Sequence, residues 1–572
     1  MDLKHRVIIS YYSRLINSSA NIPMEMRSKE DPSKQTKAVE KLIKETIIGR
    51  LPEYKGKVFS VGGHVRDLLM GSNPKDLDIV VDDPELKMKS AEEFSKRLVE
   101  VLNIKTENNP HPLNTEYGIW SVILFNPKDS EGHREPFIYD GVDISGYVIE
   151  ITPPRKEGPY DLDDRKPSYV EYTSKEEDAK RRDLTINSLY MDLTTGEIQD
   201  YIGGVEDLKS KTLRPPDHPD GTIQVYKDDP LRIFRLIRFK GRYPEFSIDP
   251  KTKEIIKDFV NSDDGKKIID TKLSHERIRD ELEEILTNPD GNIAAEGLER
   301  IRKFGLLDKI SKSLSKLIDI YHDTVFHRGE SVWEHTLDVV SKSAPTLEAR
   351  LSALFHDVGK LETMSKATDS QGRDRIRFIG HEKEGLKLAE QALKELKFPN
   401  NVINVVKKII HSHMGFREYG SLKKKRELKL IRIYIEKLYD NLEDAISVLK
   451  ADSKGSLEEE RRVNNLERDI LKQKDSDILL GLLKETSKGY EYASPLSGKE
   501  IMDYINEKGE IIGALKTKLK EMLIEGKISG SSEKEVHDKA LEVLDIILKD
   551  KNRLSSILRK YKKSTDEFFQ VK

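Results

Sequence analysis

The chain has 572 residues, of which 36% are hydrophobic and 35% charged, with a net charge of −3. This length predicts about three or four domains, and the near-neutral charge requires any nucleic-acid contact to come from local basic surfaces. Cysteine is absent, which excludes disulfides, thiolate zinc sites and cysteine nucleophiles. No apolar run approaches the roughly 20 residues of a membrane helix, and the N-terminus lacks a secretion signal, so we expect a cytoplasmic protein without membrane contact.

Residues 60–82 (SVGGHVRDLLMGSNPKDLDIVVD) form the stretch around which the chain is organised. The pattern predicts an apolar strand, a turn at Gly62-Gly63, a short helix and a second strand that carries Asp76 and Asp78. Because side chains alternate faces along a strand, these two carboxylates point to the same side and Leu77 to the other. Two carboxylates on one face offer the oxygen ligands that Mg²⁺ prefers.

The same stretch also predicts a phosphate site. Paired glycines allow backbone N–H groups to approach an anion closely, and the start of the following helix adds positive potential. Arg66 supplies a guanidinium fork that matches phosphate geometry, and Asp67 can hold it in place. A phosphate cradle beside a site for two metal ions is what nucleotidyl transfer needs.

The order GG-x-VRD followed by G-x4-D-x-D resembles the head domain of class II tRNA nucleotidyltransferases and bacterial poly(A) polymerases, within the polymerase-β-like superfamily. The resemblance implies an α+β fold, in which a mixed-sheet head is followed by an all-α neck, an HD-type helical domain and a helical tail. It also implies that Gly62, Gly63 and Arg66 bind nucleotide and that Asp76 and Asp78 bind Mg²⁺.

Further along the head, we predict helices over 38–48 and 90–102, a strand over 116–125 and an inserted hairpin or loop over 126–146. Residues 147–152 alternate as another strand, which carries Glu150. The residues that follow fit the family pattern E-x-x-x-x-R-K-E, which implies that Glu150 is the third metal carboxylate. Asp143 is the alternative.

Residues 177–191 (EDAKRRDLTINSLYM) read as an amphipathic helix with Asp183 and Asn187 one turn apart. They resemble the family motif RRDFTINAL, with Leu184 where the family has Phe. The resemblance implies that Arg182 meets the triphosphate and that Asp183 and Asn187 lie near the sugar.

In residues 228–242 (DDPLRIFRLIRFKGR), the acidic pair and Pro230 predict a helix start, with Asp229 and Arg232 on one face. An Asp can accept from an exocyclic amine while an Arg donates to a ring nitrogen or oxygen. The stretch resembles the family element E-D-P-x-R-x-x-R, which implies base selection by Asp229 and Arg232, with Arg235 also at the nucleotide. Asp228 stands where Glu is usual.

The next stretch, residues 271–286, resembles the family's neck element S-x-E-R-I-x-x-E-L. Here Ser274 is the expected N-cap of a helix, and Arg277 stands at its third helical position.

From about residue 304 the pattern is nearly all helical and contains a second candidate metal site. Its residues occur in the order H…HD…H…H…D, which resembles the HD phosphohydrolase superfamily and implies one or two divalent metals held by His335, His356, Asp357, His381, His413 and Asp452. Mixed imidazole and carboxylate ligands suit Mn, Ni, Fe or Mg. His411 competes with His413, Lys360 is placed to bind phosphate, and His327 is expected near the mouth of the pocket.

Together these features resemble the HD-containing branch of bacterial tRNA nucleotidyltransferases over roughly residues 40–550. The predicted boundaries are an N-terminal extension (1–36), the head (37–215), the neck (216–310), the HD domain (311–456) and an RNA-binding tail (457–572). Family tails embrace tRNA, and basic clusters at residues 423–426 and 559–563 are consistent with such a contact.

The resemblance implies template-independent addition of CCA to the 3′ end of tRNA from CTP and ATP. A poly(A) polymerase and an enzyme that adds only CC or only A stay open, because the motifs do not separate them. An HD metal-dependent phosphohydrolase or cyclic phosphodiesterase is the alternative from another class. The sequence leaves the oligomeric state undecided.

Overall fold

The computed structural model describes residues 28–561, except 107, 127–134, 159–167, 219–220, 322–330, 369–370, 373, 414–418, 420–423, 454–455, 480–482, 487–488, 506–508, 531 and 551–552. The chain divides into two compact units. The first contains the chain up to Glu284 together with Arg300–Leu306, and the second contains Ile285–Glu299 and Leu307 onward.

The first unit begins with a seven-stranded mixed sheet and its helices. Its elements are α1 (Pro32–Gly49), β1 (Val58–Val61), α2 (Gly63–Leu69), β2 (Asp78–Val81), α3 (Ser90–Val101), β3 (His111–Asn114), β4 (Ile119–Ile123), β5 (Ile138–Tyr139), β6 (Val142–Asp143), β7 (Val148–Thr152), β8 (Arg155–Glu157), β9 (Val170–Tyr172), α4 (Lys175–Lys180), β10 (Tyr190–Asp192), β11 (Ile198–Gln199), α5 (Gly204–Lys209) and β12 (Thr212–Leu213).

The strand order in the main sheet is β11-β10-β1-β2-β7-β4-β3. All neighbours are antiparallel except β2 and β7, which run parallel. One face packs a large apolar cluster that includes Ile79, Ile151 and Phe94 of α3, whereas the other face carries a small cluster around Phe59 and Val80. The sheet therefore buries one face deeply and leaves part of the other for polar side chains.

Helix α1 begins earlier than the sequence predicts, at Pro32 rather than near residue 38. Asp31 caps its N-terminus by accepting from the backbone N–H groups of Ser33 and Lys34, and proline suits the first helical position. The described part of the insert packs on this helix, because Gln35 Nε2 donates to the Asp143 carbonyl at 2.8 Å. The helix therefore begins within the segment that the sequence analysis assigns to the N-terminal extension.

The neck follows as a run of helices. Its elements are α6 (Gln224–Asp228), α7 (Leu231–Arg242), β13 (Ser247–Ile248), α8 (Pro250–Asn261), α9 (Asp263–Lys272), α10 (His275–Leu286), α11 (Gly291–Lys303) and α12 (Lys312–Lys316). The Ser274 hydroxyl oxygen accepts from the backbone N–H of Arg277 at 3.4 Å, so Ser274 caps the N-terminus of α10 as predicted.

The second unit continues as a helical domain with two short hairpins. Its elements are α13 (Val332–Lys342), α14 (Leu347–Phe355), α15 (Lys360–Thr363), β14 (Met364–Thr368), β15 (Asp374–Phe378), α16 (His381–Glu395), α17 (Asn400–Ser412), α18 (Lys424–Leu438), α19 (Leu442–Ser453), α20 (Leu457–Leu479), β16 (Leu483–Thr486), β17 (Gly489–Tyr492), α21 (Gly498–Ile505), α22 (Glu510–Ile524) and α23 (Glu533–Lys549).

A buried ion pair ties α18 to the segments that follow it. Arg432 donates from Nε and Nη2 to Asp477 at 3.0 and 2.9 Å, and Tyr492 Oη donates to the same carboxylate at 2.6 Å. This network fixes helix α20 and strand β17 around α18. Within the part of the chain that is described, no helix combines the length and the apolar character that a bilayer crossing needs.

Candidate functional sites

Three carboxylates meet on the less covered face of the head sheet. Asp78 opens β2 and lies directly beside Glu150 of β7 in the parallel register, so both side chains project from the same face. Asp76 precedes the strand rather than lying in it, yet its charge acts on Asp78. Asp143, the alternative to Glu150, lies in the β5–β6 hairpin outside this sheet and accepts from the Ser145 backbone N–H.

The electrostatics of this group suit a cation. Partial desolvation of the Asp78 carboxylate by the surrounding protein, together with the charges of Glu150 and Asp76, raises its pKa from 3.8 to about 7, although Arg182 partly opposes the rise. Asp78 nevertheless keeps solvent access. Mutually repelling oxygens that remain open to solvent are the donor set that a divalent cation neutralises.

The Gly62-Gly63 turn borders the carboxylates. Gly62 has φ 72° and ψ −125°, a conformation that side chains disfavour, and its N–H donates to the Leu189 carbonyl at 3.2 Å. A Cβ at Gly62 would lie 3.8 Å from Nη1 of Arg182. The turn and the Arg182 guanidinium are therefore immediate neighbours.

Residues 177–191 are not one helix, in contrast to the sequence prediction. Helix α4 ends at Lys180, a 3₁₀ turn covers Thr185–Asn187, and β10 starts at Tyr190. Asp183 accepts from the Leu184 backbone N–H at 2.8 Å and from Asn187 Nδ2 at 3.1 Å, a local pairing that competes with helix formation. The apolar residues of this stretch pack into the head core instead of forming a helical stripe.

Asp178 was not identified from the sequence, although it organises the arginines of this motif. Its buried carboxylate accepts from Arg181 and Arg182, and the Tyr190 hydroxyl donates to it as well. Burial alone would raise the pKa of Asp178, but the two guanidinium groups hold it well below its usual range. Asp178 precedes Arg182 by four residues, the spacing of a local ion pair, and this is the one signal of its role in the sequence. Arg182 in turn acts on the carboxylate site, since its charge lowers the pKa of Asp78.

Arg66 has more protein partners than the sequence suggests. Its buried guanidinium donates from Nε to Asp67 at 2.8 Å, the predicted pairing, and from Nη1 to Asn187 Oδ1 at 2.6 Å. Asn187 in turn donates to Asp183, whose other oxygen accepts from Arg235 Nε at 2.8 Å. The residues predicted to contact phosphate and sugar thus form one hydrogen-bonded chain with α7.

The base-selection pair differs in detail from the predicted helical face. Asp229 lies before α7 in an extended conformation, because Pro230 is the N-cap, and its carboxylate takes two hydrogen bonds from Arg277 at 3.0 and 2.7 Å. Burial raises the pKa of Asp229, but Arg277 and Arg232 outweigh it and lower the pKa below its ordinary value. Arg232 donates to the Val225 and Arg181 carbonyls, and Asp228 accepts from Gln224.

The second unit brings the predicted His and Asp residues together in one buried cluster. Two overlapping groups, His335 with His356 and Asp357 and then Asp357 with His381 and His413, each hold their candidate ligand atoms within 4.8 Å of one another. Asp452 completes the set, 3.1 Å from His335 Nε2 and 3.6 Å from His356 Nε2. His411 is exposed, whereas His413 is buried within the cluster.

The histidines are oriented by the backbone. The Nδ1 atoms of His356 and His381 each lie 2.8 Å from the carbonyl three residues earlier, and Nδ1 of His413 contacts the Ile410 carbonyl. Nε2 of His356, Nε2 of His413 and Oδ2 of Asp452 are buried atoms without a hydrogen-bond partner. Buried lone pairs that converge in this way fit a metal ion.

Charge within the cluster is strongly coupled. Burial opposes the charged form of His356, yet Asp357 and Asp452 raise its pKa to about 10, whereas burial lowers the pKa of His413 to about 4. Lys360 Nζ lies 2.6 Å from Asp357 Oδ2. His327, Lys423 and residues 562–563 lie outside the described residues, so the predictions that involve them are not addressed.

The chain matches three family models. Residues 58–115 and 126–214 match the poly A polymerase head domain, residues 332–445 match the HD domain, and residues 245–317 match the probable RNA and SrmB-binding site of polymerase A. The head and HD models coincide with the carboxylate site and the His/Asp cluster, and both imply use of divalent metal ions.

Two relatives illustrate the extent of the similarity. The CC-adding tRNA nucleotidyltransferase of Thermus thermophilus is 29% identical, and the match covers 84% of this chain and 93% of that protein. The multifunctional CCA protein of Dechloromonas aromatica is also 29% identical, over 43% of this chain. In this second case the chain spans just over half of the relative, 56% of its length.

Two solved structures share the fold. The Bacillus stearothermophilus CCA-adding enzyme in complex with CTP has a TM-score of 0.53 at 18% identity, covering 91% of this chain and all of that one. The Thermotoga maritima CCA-adding enzyme complexed with tRNA has a TM-score of 0.51 at 19% identity, covering 90% and 99%. The chain therefore combines matches to a poly(A) polymerase head domain, an RNA-binding segment and an HD domain, and in this combination it is similar to the HD-containing branch of the class II tRNA nucleotidyltransferase and bacterial poly(A) polymerase family.

Proposed function

We propose that the chain is a template-independent nucleotidyltransferase that adds CCA to the 3′ end of tRNA from CTP and ATP. The observation that carries the proposal is the pairing of Asp78 with Glu150 in the sheet, beside the Gly62-Gly63 turn and Arg182. The relatives and fold neighbours with this head are named for CC or CCA addition to tRNA, which supports the same substrate here.

In the reaction, the 3′-hydroxyl oxygen of the RNA forms a bond to the α-phosphorus of the nucleotide, and the bond to pyrophosphate breaks. Asp76, Asp78 and Glu150 would hold Mg²⁺, which when bound activates the hydroxyl and stabilises the leaving group. Arg182, held by Asp178, faces the turn and would steady the triphosphate. Its geometry is fixed before substrate arrives, which lowers the entropic cost of alignment.

Base choice would fall to Asp229 and Arg232. Arg277 already fixes the Asp229 carboxylate, and a carboxylate has further lone pairs that can accept from the exocyclic amine of cytosine or adenine. Asp183 and Asn187, with Arg235 behind them, would border the sugar. These individual roles stay predictions.

The test is incorporation of labelled CTP and ATP on tRNA transcripts that end before the first C, before the second C and before the A. A CCA-adding enzyme extends all three to the complete end and stops. The Thermus relative favours the CC-only alternative, which extends the first two transcripts by C and leaves the third unchanged. Long A tracts on any transcript would indicate a poly(A) polymerase. No incorporation on any transcript would refute the nucleotidyltransferase proposal.

The His/Asp cluster supports a second candidate function, a metal-dependent phosphohydrolase that acts on cyclic or terminal phosphates. The supporting observation is the convergence of six candidate ligand side chains, among which Nε2 of His356, Nε2 of His413 and Oδ2 of Asp452 are buried atoms without a hydrogen-bond partner. Mn, Ni, Fe and Mg all fit this mixed donor set. Hydrolysis of a 2′,3′-cyclic nucleotide with Mn²⁺ or Ni²⁺ tests it, since Asp357→Ala should abolish this activity and Asp78→Ala should not.

Binding of tRNA would involve the segment that matches the polymerase RNA-binding model, residues 245–317, and the tail. The described members of the C-terminal basic cluster, Arg559, Lys560 and Tyr561, lie on a helical segment. The cytoplasmic location and the RNA contact of the tail stay predictions.

A further inference from the structure

The β14–β15 hairpin starts and ends at the His/Asp cluster. Strand β14 follows α15, whose first residue Lys360 lies with Nζ 2.6 Å from Asp357 Oδ2, and β15 ends three residues before His381. A Cβ at Gly359 would lie 1.9 Å from the His381 carbonyl oxygen, so the backbones on either side of the hairpin touch. Nδ1 of His381 lies 2.8 Å from the carbonyl oxygen of Phe378, the last residue of β15. The base of the hairpin therefore lies against the candidate metal site.

The pairing of the two strands sorts their side chains onto two faces. Ser365 lies opposite Arg377 and Ala367 lies opposite Arg375, so these four residues share one face of the hairpin. Phe378 lies on the other face. Because serine and alanine have short side chains, they cannot cover the two guanidinium groups from across the hairpin. This face therefore presents two cations beside two small side chains, with no carboxylate among the four residues.

The same strand presents a row of side chains that leads to a candidate metal ligand. Arg375, Arg377 and Ile379 follow one another at every second position, six, four and two residues before His381. Arg377 is exposed, Arg375 is half-buried, and 77% of the Ile379 surface is exposed. At about 3.4 Å per strand residue, the two arginines stand about 7 Å apart along β15. The row therefore combines two successive cations with an uncovered apolar side chain.

We propose that Arg375, Arg377 and Ile379 form a track on which single-stranded RNA docks, with its terminal phosphate in the His/Asp cluster. The inference rests on the proposed phosphohydrolase function and names the substrate of that site as an RNA end. A free nucleotide brings one phosphate to the cluster, whereas a strand brings further phosphates with which successive guanidinium groups can pair. The exposed isoleucine offers an apolar surface to a base. RNA is the nucleic acid that the matched family models concern.

The experiment compares Arg375→Gln and Arg377→Gln with the wild type and with Lys408→Gln, a control at an exposed lysine of α17. With Mn²⁺ or Ni²⁺, kcat/KM is measured for a short RNA that ends in a 2′,3′-cyclic phosphate and for 2′,3′-cyclic CMP. Each arginine variant should lower kcat/KM for the RNA about fivefold at about 0.1 M salt, and the slope of log kcat/KM against log salt should shrink by about 0.7, as expected for one lost phosphate contact to a single strand. Hydrolysis of cyclic CMP should change less than about twofold, and Lys408→Gln should alter neither substrate.

Hydrogen exchange followed by mass spectrometry gives a second measurement that does not depend on catalysis. In EDTA, the RNA should slow exchange of the β14 and β15 amides in the wild type, and Arg377→Gln should remove most of this protection. Cyclic CMP should leave exchange in the hairpin unchanged. Thermal unfolding curves of the variants show whether each one folds, and both arginine variants should unfold like the wild type because they change a surface that is open to solvent.

Two results would overturn the inference. An equal loss of kcat/KM for the RNA and for cyclic CMP would place the arginines at the cluster itself, with no track for a strand. Unchanged RNA kinetics together with unchanged exchange would make them ordinary solvated residues. A wild type that hydrolyses neither substrate, but whose hairpin is protected by the RNA, would instead refute the phosphohydrolase function and support the RNA contact.

Discussion

Replacing Asp78 with Asn should stabilise the metal-free head while abolishing nucleotide addition. The pKa of Asp78 rises from 3.8 to about 7 through burial of its carboxylate and the charges of Glu150 and Asp76. A rise of that size corresponds to about 4 kcal/mol of unfavourable free energy in the ionised, folded state. Because Asp78 is open to solvent, screening reduces this unfavourable free energy. We therefore expect Asp78→Asn to raise the free energy of unfolding by about 1–2 kcal/mol.

The sign of the pH dependence follows from the raised pKa. A carboxyl group that keeps its proton to higher pH in the folded state makes folding less favourable as pH rises. The destabilisation by Asp78 is absent below about pH 4, where the carboxyl group is protonated in the folded and unfolded states, and complete above about pH 7. The advantage of Asp78→Asn should therefore be largest near pH 8 and shrink as the pH falls toward 4.

Hydrogen exchange of the β2 and β7 amides, followed by mass spectrometry with EDTA, measures the local free energy of opening. Glu53→Gln is a matched control at an exposed carboxylate and should change it by less than about 0.5 kcal/mol. Magnesium should slow exchange in the wild type more than in Asp78→Asn. Faster exchange in Asp78→Asn than in the wild type with EDTA, or no magnesium effect in the wild type, would refute the reasoning.

Three further predictions concern the partners of the site. Asp178→Asn should lower the free energy of unfolding by about 3 kcal/mol and raise KM for CTP, because it leaves buried guanidinium groups uncompensated. Urea unfolding measures the first effect and steady-state kinetics measures the second. Arg277→Ala should lower kcat/KM for CTP about tenfold by releasing Asp229, whereas Arg279→Ala on the same helix should leave it unchanged. Asp357→Ala should remove the metal bound to the second unit, as measured by elemental analysis, and leave CTP incorporation unchanged. Loss of CTP incorporation together with the metal would contradict two independent sites.

Short sequence patterns predicted the structural features whose residues lie close together in the chain. The strand, glycine turn and helix around Gly62 lie within a dozen residues, and Asp78 opens the predicted second strand, although Asp76 precedes this strand. The histidines of the second unit were also found, since their order H…HD…H…H…D resembles that of the HD superfamily. The assignments of catalytic and ligand roles to these residues remain predictions.

Long-range partners account for what the sequence did not reveal. The stretch around Asp183 has a helical pattern, but its apolar residues pack into the sheet, and the chain forms a short turn and a strand instead. The further partners of Arg66 have no local signal, because Asn187 and Tyr243 are more than a hundred residues away in the chain. Arg277 was noted as a helix residue only, since nothing local indicates its ion pair with Asp229.

The pairing of strand β7 on both sides separates the position of Glu150 from the length of the preceding connection. The two strands are antiparallel neighbours joined by residues 124–147, and β7 is held on its other side by β2. Glu150 therefore keeps its place whatever the length of that connection, since ladders on both flanks of β7 set the register. Because Ile144 of this connection lies in the head core and the Asp143 carbonyl accepts from α1, homologues with a shorter or longer connection should keep these contacts together with the carboxylate spacing.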